Sequence, residues 1–157
     1  MNKLINIFIF ISILVLFLSG CAVNLNNPKT TMSKEVLRCL DEDDVEGLKS
    51  MFCKKVLTDC PDLDGQIKEA MDFYEGKTIS YDTIIASEGL AVDNGKTTRE
   101  DINPHIKGIK TDSEKEYDIK FYAYIVFSSD PNRVGISEIS IKSEDGDEFI
   151  LGDFYLA

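Results

Sequence analysis

The chain has 157 residues, enough for one domain with its own hydrophobic core, and its 43% hydrophobic and 29% charged content argues against wholesale disorder. Seventeen Lys and Arg against 28 Asp and Glu give a formal net charge of −11. A body of that sign is repelled by phosphodiesters and no basic stripe offsets it, so nucleic-acid binding is excluded as the expected role.

Lys3 is the only charged residue before Cys21, so the acidity belongs to residues 22–157. Residues 4–17 are an apolar stretch rich in Ile, Leu, Val and Phe, broken by Asn6 and Ser12. That length suits the apolar centre of an export signal and falls short of the ~20 residues of a spanning helix. Leu18-Ser19-Gly20-Cys21 comes directly after it. It resembles the lipobox of bacterial lipoproteins, in which Leu and two small residues precede Cys. The resemblance implies that Cys21 takes a diacylglyceryl group, that residues 1–20 are removed as a signal peptide, and that Cys21 becomes the N-terminus. Two acyl chains, at about 0.8 kcal/mol per buried CH2, hold a soluble domain where one would not. The expected location is the extracytoplasmic face of the cell membrane, with palmitate-type chains as the lipid anchor. Residues 21–31, rich in Asn, Pro and Thr after Cys21, read as the lipidated N-terminus and a flexible tether. A single domain is expected over 32–157.

The domain opens with helical spacing. Ser33 can cap a first helix reaching Asp41, with Val36, Leu37 and Leu40 as its apolar stripe. Asp43 and Glu46 have capping-box spacing for a second helix carrying Val45, Leu48, Phe52 and Val56. Its acidic start fits the helix dipole better than calcium, since the EF-hand pattern is absent. Pro61 suits the first turn of a third helix with Leu63, Ile67, Ala70, Met71 and Tyr74 on one face, and Gly76 stops it.

After Gly76 the texture becomes β. Residues 79–86 alternate, and Asp93-Asn94-Gly95 marks a turn. A weaker strand spans 102–111, with Pro104 expected at an irregular start or an edge. Residues 117–127 form the strongest strand and 134–142 its return, with a bulge between Ile136 and Ile139. Phe149 to Tyr155 close the chain as a short last segment. Helices followed by an antiparallel meander predict an α+β fold, with the helices on one face of the sheet.

The helix Asp44-Val45-Glu46-Gly47-Leu48-Lys49-Ser50-Met51-Phe52, the Asn-rich tether, Asp62-Leu63 with Gln66-Ile67, and Gly76-Lys77 before a Tyr-containing strand are similar to Gram-positive lipoproteins with a nuclear transport factor 2-like (cystatin-like) cone. The resemblance covers residues 32–154. It implies a curved antiparallel sheet around a helix, with a pocket that serves isomerases or dehydratases in some relatives and only binding or dimerisation in others.

On the strand 117–127, alternation puts Tyr117, Ile119, Phe121, Ala123, Ile125 and Phe127 toward the helices. Asp118, Lys120, Tyr122, Tyr124 and Val126 face away. Tyr81 and Thr83 are expected to share a pocket with Tyr117. Asp82 and Asp118 fall on the opposite phase, so no acid–base pair assembles beside the tyrosines and no catalytic residue is assigned. His105, the sole histidine, reads as a surface or edge residue. Tyr122 and Tyr124 mark the outer sheet face as a possible dimer face, tyrosine being common at interfaces. Cys53 and Cys60 are the candidate disulfide, with Cys39 a helix residue near the core. No metal or cofactor is expected, because no Cys-x2-Cys spacing or phosphate loop occurs. The expected function is a membrane-anchored, non-enzymatic binding or accessory domain whose partner is a protein, a second copy or a small apolar ligand. The alternatives are a small-molecule enzyme using Tyr81, Tyr117 and Asp82 or His105, and an immunity-type lipoprotein.

Overall fold

The computed structural model describes residues 27–156; the signal segment and Cys21 lie outside them. Helix α1 spans Pro28–Asp41 and buries Val36, Leu37, Cys39 and Leu40. It starts well before the expected Ser33, because proline at the first helical position loses nothing by lacking an N–H. Ser33 is therefore buried within the helix, and residues 28–31 of the expected tether are helical.

Helix α2, Val45–Ser50, is capped by Asp44, whose carboxylate accepts the Gly47 N–H at 2.8 Å. Asp43 stands outside with a φ of 53°. The expected second helix does not continue to Val56. Its backbone is diverted at Met51–Cys53, where Met51 O accepts from Ile136 N and Cys53 N donates to Ile136 O, both at 2.8 Å. A new helix α3, Lys54–Asp59, comes next. Helix α4, Leu63–Phe73, is capped by Asp62 and buries Leu63, Ile67, Ala70 and Met71, as its spacing predicts. Among the described residues, no helix is long and apolar enough to cross a membrane.

Six strands complete the domain: β1 Thr78–Ser80, β2 Thr83–Asp93, β3 Lys96–Thr111, β4 Glu116–Phe127, β5 Gly135–Ser143 and β6 Glu148–Gly152. They form one curved, open antiparallel sheet in the order β1-β3-β4-β5-β6, with β2 continuing along the β1 edge of β3. Among the described residues, the α+β fold is thus four α-helices against a six-stranded sheet.

Strand β3 is longer than its composition suggests. Asn94 and Gly95, with φ of 48° and 76°, close a two-residue hairpin that pairs Asp93 with Lys96. A bulge that leaves Thr98 extra then shifts the pairing by one residue, and β3 runs unbroken past Pro104. That proline is therefore buried inside a strand flanked by β2 and β4, not at a start or an edge.

Directly opposed residues share a face in an antiparallel sheet. Ile84, Ile106, Ile119, Ile141 and Phe149 are successive partners across five strands and form the inner row. Ile85, His105, Lys120, Ser140 and Ile150 form the corresponding outer row. The bulge expected between Ile136 and Ile139 is present: Tyr122 pairs with Glu138 and Ala123 with Ile136, leaving Ser137 extra.

A second bulge changes the reading of β4. Asp101 pairs with Tyr124 but Glu100 pairs with Val126, leaving Ile125 extra. The phase flips there, so Val126 turns inward and Phe127 joins Tyr124 outside.

Candidate binding surface

The inner face is filled rather than open. Ile106, Ile109, Ile119 and Ile141 are fully buried, and Phe121 and Ile139 nearly so. Tyr117 belongs to this packing. Its hydroxyl donates to Phe73 O and accepts from Glu75 N, both at 3.0 Å, so it ties off the end of α4.

The three residues expected to share a pocket are not brought together. Thr83 pairs with Lys107 on the outer side, while Tyr117 pairs with the core residue Ile109. Tyr81 lines a groove of about 360 Å³ between α1 and the β1–β2 link, with Lys34, Leu37, Arg38, Ile79 and Ser80. The one guanidinium there is already engaged by Glu35, Glu42 and Asp44.

His105 has a partner that spacing alone did not reveal. Its Nε2 lies 2.9 Å from Asp118 Oδ2, while Asp118 Oδ1 accepts the Gly108 N–H at 2.9 Å. Gly108 is the extra residue of a bulge, since Ile106 pairs with Ile119 and Ile109 with Tyr117. Asp118 thus pins an irregular stretch of β3. Burial pulls its carboxyl upward, but the Gly108 N–H and His105 outweigh this and hold it below the ordinary 3.8. A carboxylate whose folded pKa is depressed contributes stability above its unfolded pKa and loses it as pH falls through the folded value. Asp118→Asn should therefore cost about 1–2 kcal/mol near pH 7. The gap to wild type in urea melts should narrow only below pH 3.8. A gap unchanged down to pH about 2 would contradict the assignment.

The outer face carries the more continuous feature. Tyr122 and Tyr124 stand edge to face with ring centroids 5.3 Å apart. Tyr124 stacks on Phe127 at 4.6 Å, and Tyr122 meets Phe154 at 5.1 Å. Phe154 in turn meets Tyr155 at 6.0 Å, giving five linked rings. Arg133 lies 5.5 Å over the Phe127 ring and ends the row. Asp101, paired with Arg99 at 3.0 Å, stands directly across from Tyr124. Burial pushes the Tyr122 phenol up, with Tyr124 and the Asp101 charge adding to it. It is therefore a neutral hydrogen-bonding group, not a base. Beside the row runs a groove of about 320 Å³ lined by Asn103, Lys120, Tyr122, Glu138, Ile150 and Phe154. The arrangement can bind, with ring faces for contact area and amides, hydroxyls and carboxylates at the rim.

Sequence reasoning found Tyr122 and Tyr124 but missed Phe127, Phe154 and Asp101. The signal for Phe127 was present. Tyr124-Ile125-Val126-Phe127 is four apolar or aromatic residues in a row, which strict alternation cannot carry.

Cys39, Cys53 and Cys60 are free thiols. Cys53 and Cys60 sit at opposite ends of α3 rather than across a turn. Seven residues of helical rise, about 10 Å, exceed the reach of a disulfide. Burial pushes the Cys39 thiol up to about 11, which keeps it in the thiol form at neutral pH. Among the described residues, no group of three or more His, Cys, Asp and Glu side chains is placed to hold a metal.

A family model described as a domain of unknown function, DUF5104, matches residues 35–144. The chain belongs to the DUF5104 family. The DUF5104 match runs from within α1 through the end of β5, so it takes in most of the helical segment and of the inner core and the Tyr122–Phe127 part of the aromatic row. Strand β6 and the two rings at Phe154 and Tyr155 lie beyond it. No curated protein matches the chain.

Proposed function

We propose that this DUF5104 chain is an exported lipoprotein, anchored through diacylglyceryl-Cys21 outside the cell, and that its domain binds a partner through the outer sheet face. The anchoring rests on Lys3, the apolar stretch 4–17 and the Leu18-Ser19-Gly20-Cys21 run. The binding role rests on one observation: five linked aromatic rings that run from the outer face of β4 to the C-terminal turn. Aromatic residues in that setting are the usual anchors of interfaces. The filled inner face and the engaged Tyr117 hydroxyl favour binding over catalysis in a cone pocket. The helices-first order and curved sheet are compatible with a nuclear transport factor 2-like cone, which we adopt as part of this reading.

One experiment addresses both halves. Cells are grown with labelled palmitate, and a photocrosslinking amino acid is placed at position 124 or, as control, at position 145 in the turn after β5. The expected result is label on wild type but not on Cys21→Ala, with a discrete crosslinked product from 124 alone. Equal labelling of Cys21→Ala would remove the anchor. Matching products, or none, from both positions would remove the binding face.

A further inference from the structure

Leu90 and Val92 near the end of β2 are 66% and 58% exposed. Both lie in the inner phase of the sheet, in line with Ile84, yet among the described residues no helix covers them. Helix α1 reaches only as far as Glu88, where Lys29 Nζ meets Glu88 Oε1 at 2.8 Å. From there α1 descends to Asp41, whose carboxylate takes the Thr78 N–H at 2.7 Å. Its N-terminus therefore points toward the β2–β3 turn, and the chain leading back to Cys21 leaves at that end.

The connection is short. From Pro28 back to Cys21 the chain spans at most about 25 Å. Glu88 to Val92 along the strand is about 13 Å. Whatever surface holds Cys21 is held within reach of the hairpin.

Charge is distributed to match. Residues 93–101 and 128–134 at the hairpin end are nearly balanced, with Lys96, Arg99 and Arg133 against Asp93, Glu100, Asp101 and Asp130. At the opposite end, the turns 112–116 and 144–148 carry seven carboxylates and one lysine. Anionic headgroups repel that pole and tolerate the other.

We propose that the β2–β3 hairpin seats on the lipid surface, with Leu90 and Val92 entering the boundary between headgroups and acyl chains. This rests on the lipid-anchor reading. The seat fixes the domain's orientation, with the acidic turns outward and the aromatic row held alongside the membrane rather than against it. Exposed aliphatic side chains at a hairpin tip bind a bilayer weakly alone, but the anchor supplies the high effective concentration.

The test uses the full lipidated chain in vesicles of phosphatidylcholine and phosphatidylglycerol containing brominated acyl chains. An environment-sensitive fluorophore is attached to Val92→Cys or Asp145→Cys in a Cys60→Ser background. The expected result is a blue shift and bromine quenching at 92, with neither at 145. Absence of quenching at 92, in a chain that still floats with the vesicles, overturns the seat and leaves the anchor standing. Quenching at both positions overturns the fixed orientation. A blue shift at 92 without quenching means that protein, either the tether or a second copy, covers the hairpin, and the proposal fails. A chain that neither floats nor carries palmitate loses the anchor and the seat together. Hydrogen exchange on the unsubstituted chain provides the second readout: amides 89–97 should slow on vesicle binding, and unchanged rates would also overturn the seat.

Discussion

Ile119→Ala should lower the unfolding free energy by about 3–4 kcal/mol, read as a shifted midpoint in urea melts followed by far-ultraviolet circular dichroism. Ile119 is fully buried on β4, which lies in the middle of the sheet. It stands at the centre of the inner row, between Ile106 and Ile141. The cost has two parts, the lost transfer of three carbons and a void that surrounding strands cannot close. Neighbours held in register on both sides leave little room for collapse, which puts the expected value in the upper part of the ~2–5 kcal/mol range for such truncations. A domain of this size holds only about 5–15 kcal/mol in total, so the variant should be visibly marginal. A loss under about 1.5 kcal/mol would mean that the row packs loosely or that the register is wrong.

The second large effect is expected at Gly135, where Gly135→Ala should cost about 3 kcal/mol by the same measurement. Its φ is 121°, outside the range an L side chain adopts comfortably. An added Cβ would come 2.8 Å from Cys53 N, 2.9 Å from Cys53 Cα and 3.1 Å from Met51 O. All three are backbone atoms, so no side chain can rotate away. Two of them, Cys53 N and Met51 O, make the two hydrogen bonds to Ile136 that join the helical segment to β5. Relief of the clash must lengthen one of them. A neutral substitution would show that this junction is softer than its geometry states.

How far the sequence carries the fold depends on which kind of rule operates. Alternation on β4 correctly divides Ile119, Phe121 and Ala123 from Asp118, Lys120 and Tyr122, because the buried face is almost wholly apolar. It fails at Phe127, because a single extra residue at Ile125 inverts everything after it. Helical spacing finds α1 and α4, but it also draws α2 and α3 as one helix. Val45, Leu48, Phe52 and Val56 do recur at helical intervals. What breaks them is a hydrogen-bonding partner, Ile136, far along the chain, and no local pattern reports it. Pro104 misleads for a related reason. Its local preference is for an edge, but β3 continues past it, paired with β2 through Ala86 on one side and with β4 on the other. The aromatic surface was half legible: Tyr122 and Tyr124 announce themselves on one strand, whereas Phe154 joins them only through the tertiary path of the chain after β6. The His105–Asp118 contact is a diagonal one across the β3–β4 register, and that register also lies beyond periodicity.

The junction of Met51, Phe52 and Cys53 with Ile136 bears on the order in which the molecule forms. The helices are made first and are individually short, and such segments are marginal in water until tertiary packing supports them. Their seat is a strand synthesised more than eighty residues later. The loop must close before the contact repays it, which places this protein among slow, topology-limited folders rather than fast local ones. Until β5 arrives, the backbone of Met51 and Cys53 between α2 and α3 has no strand to pair with, so this junction is consolidated late.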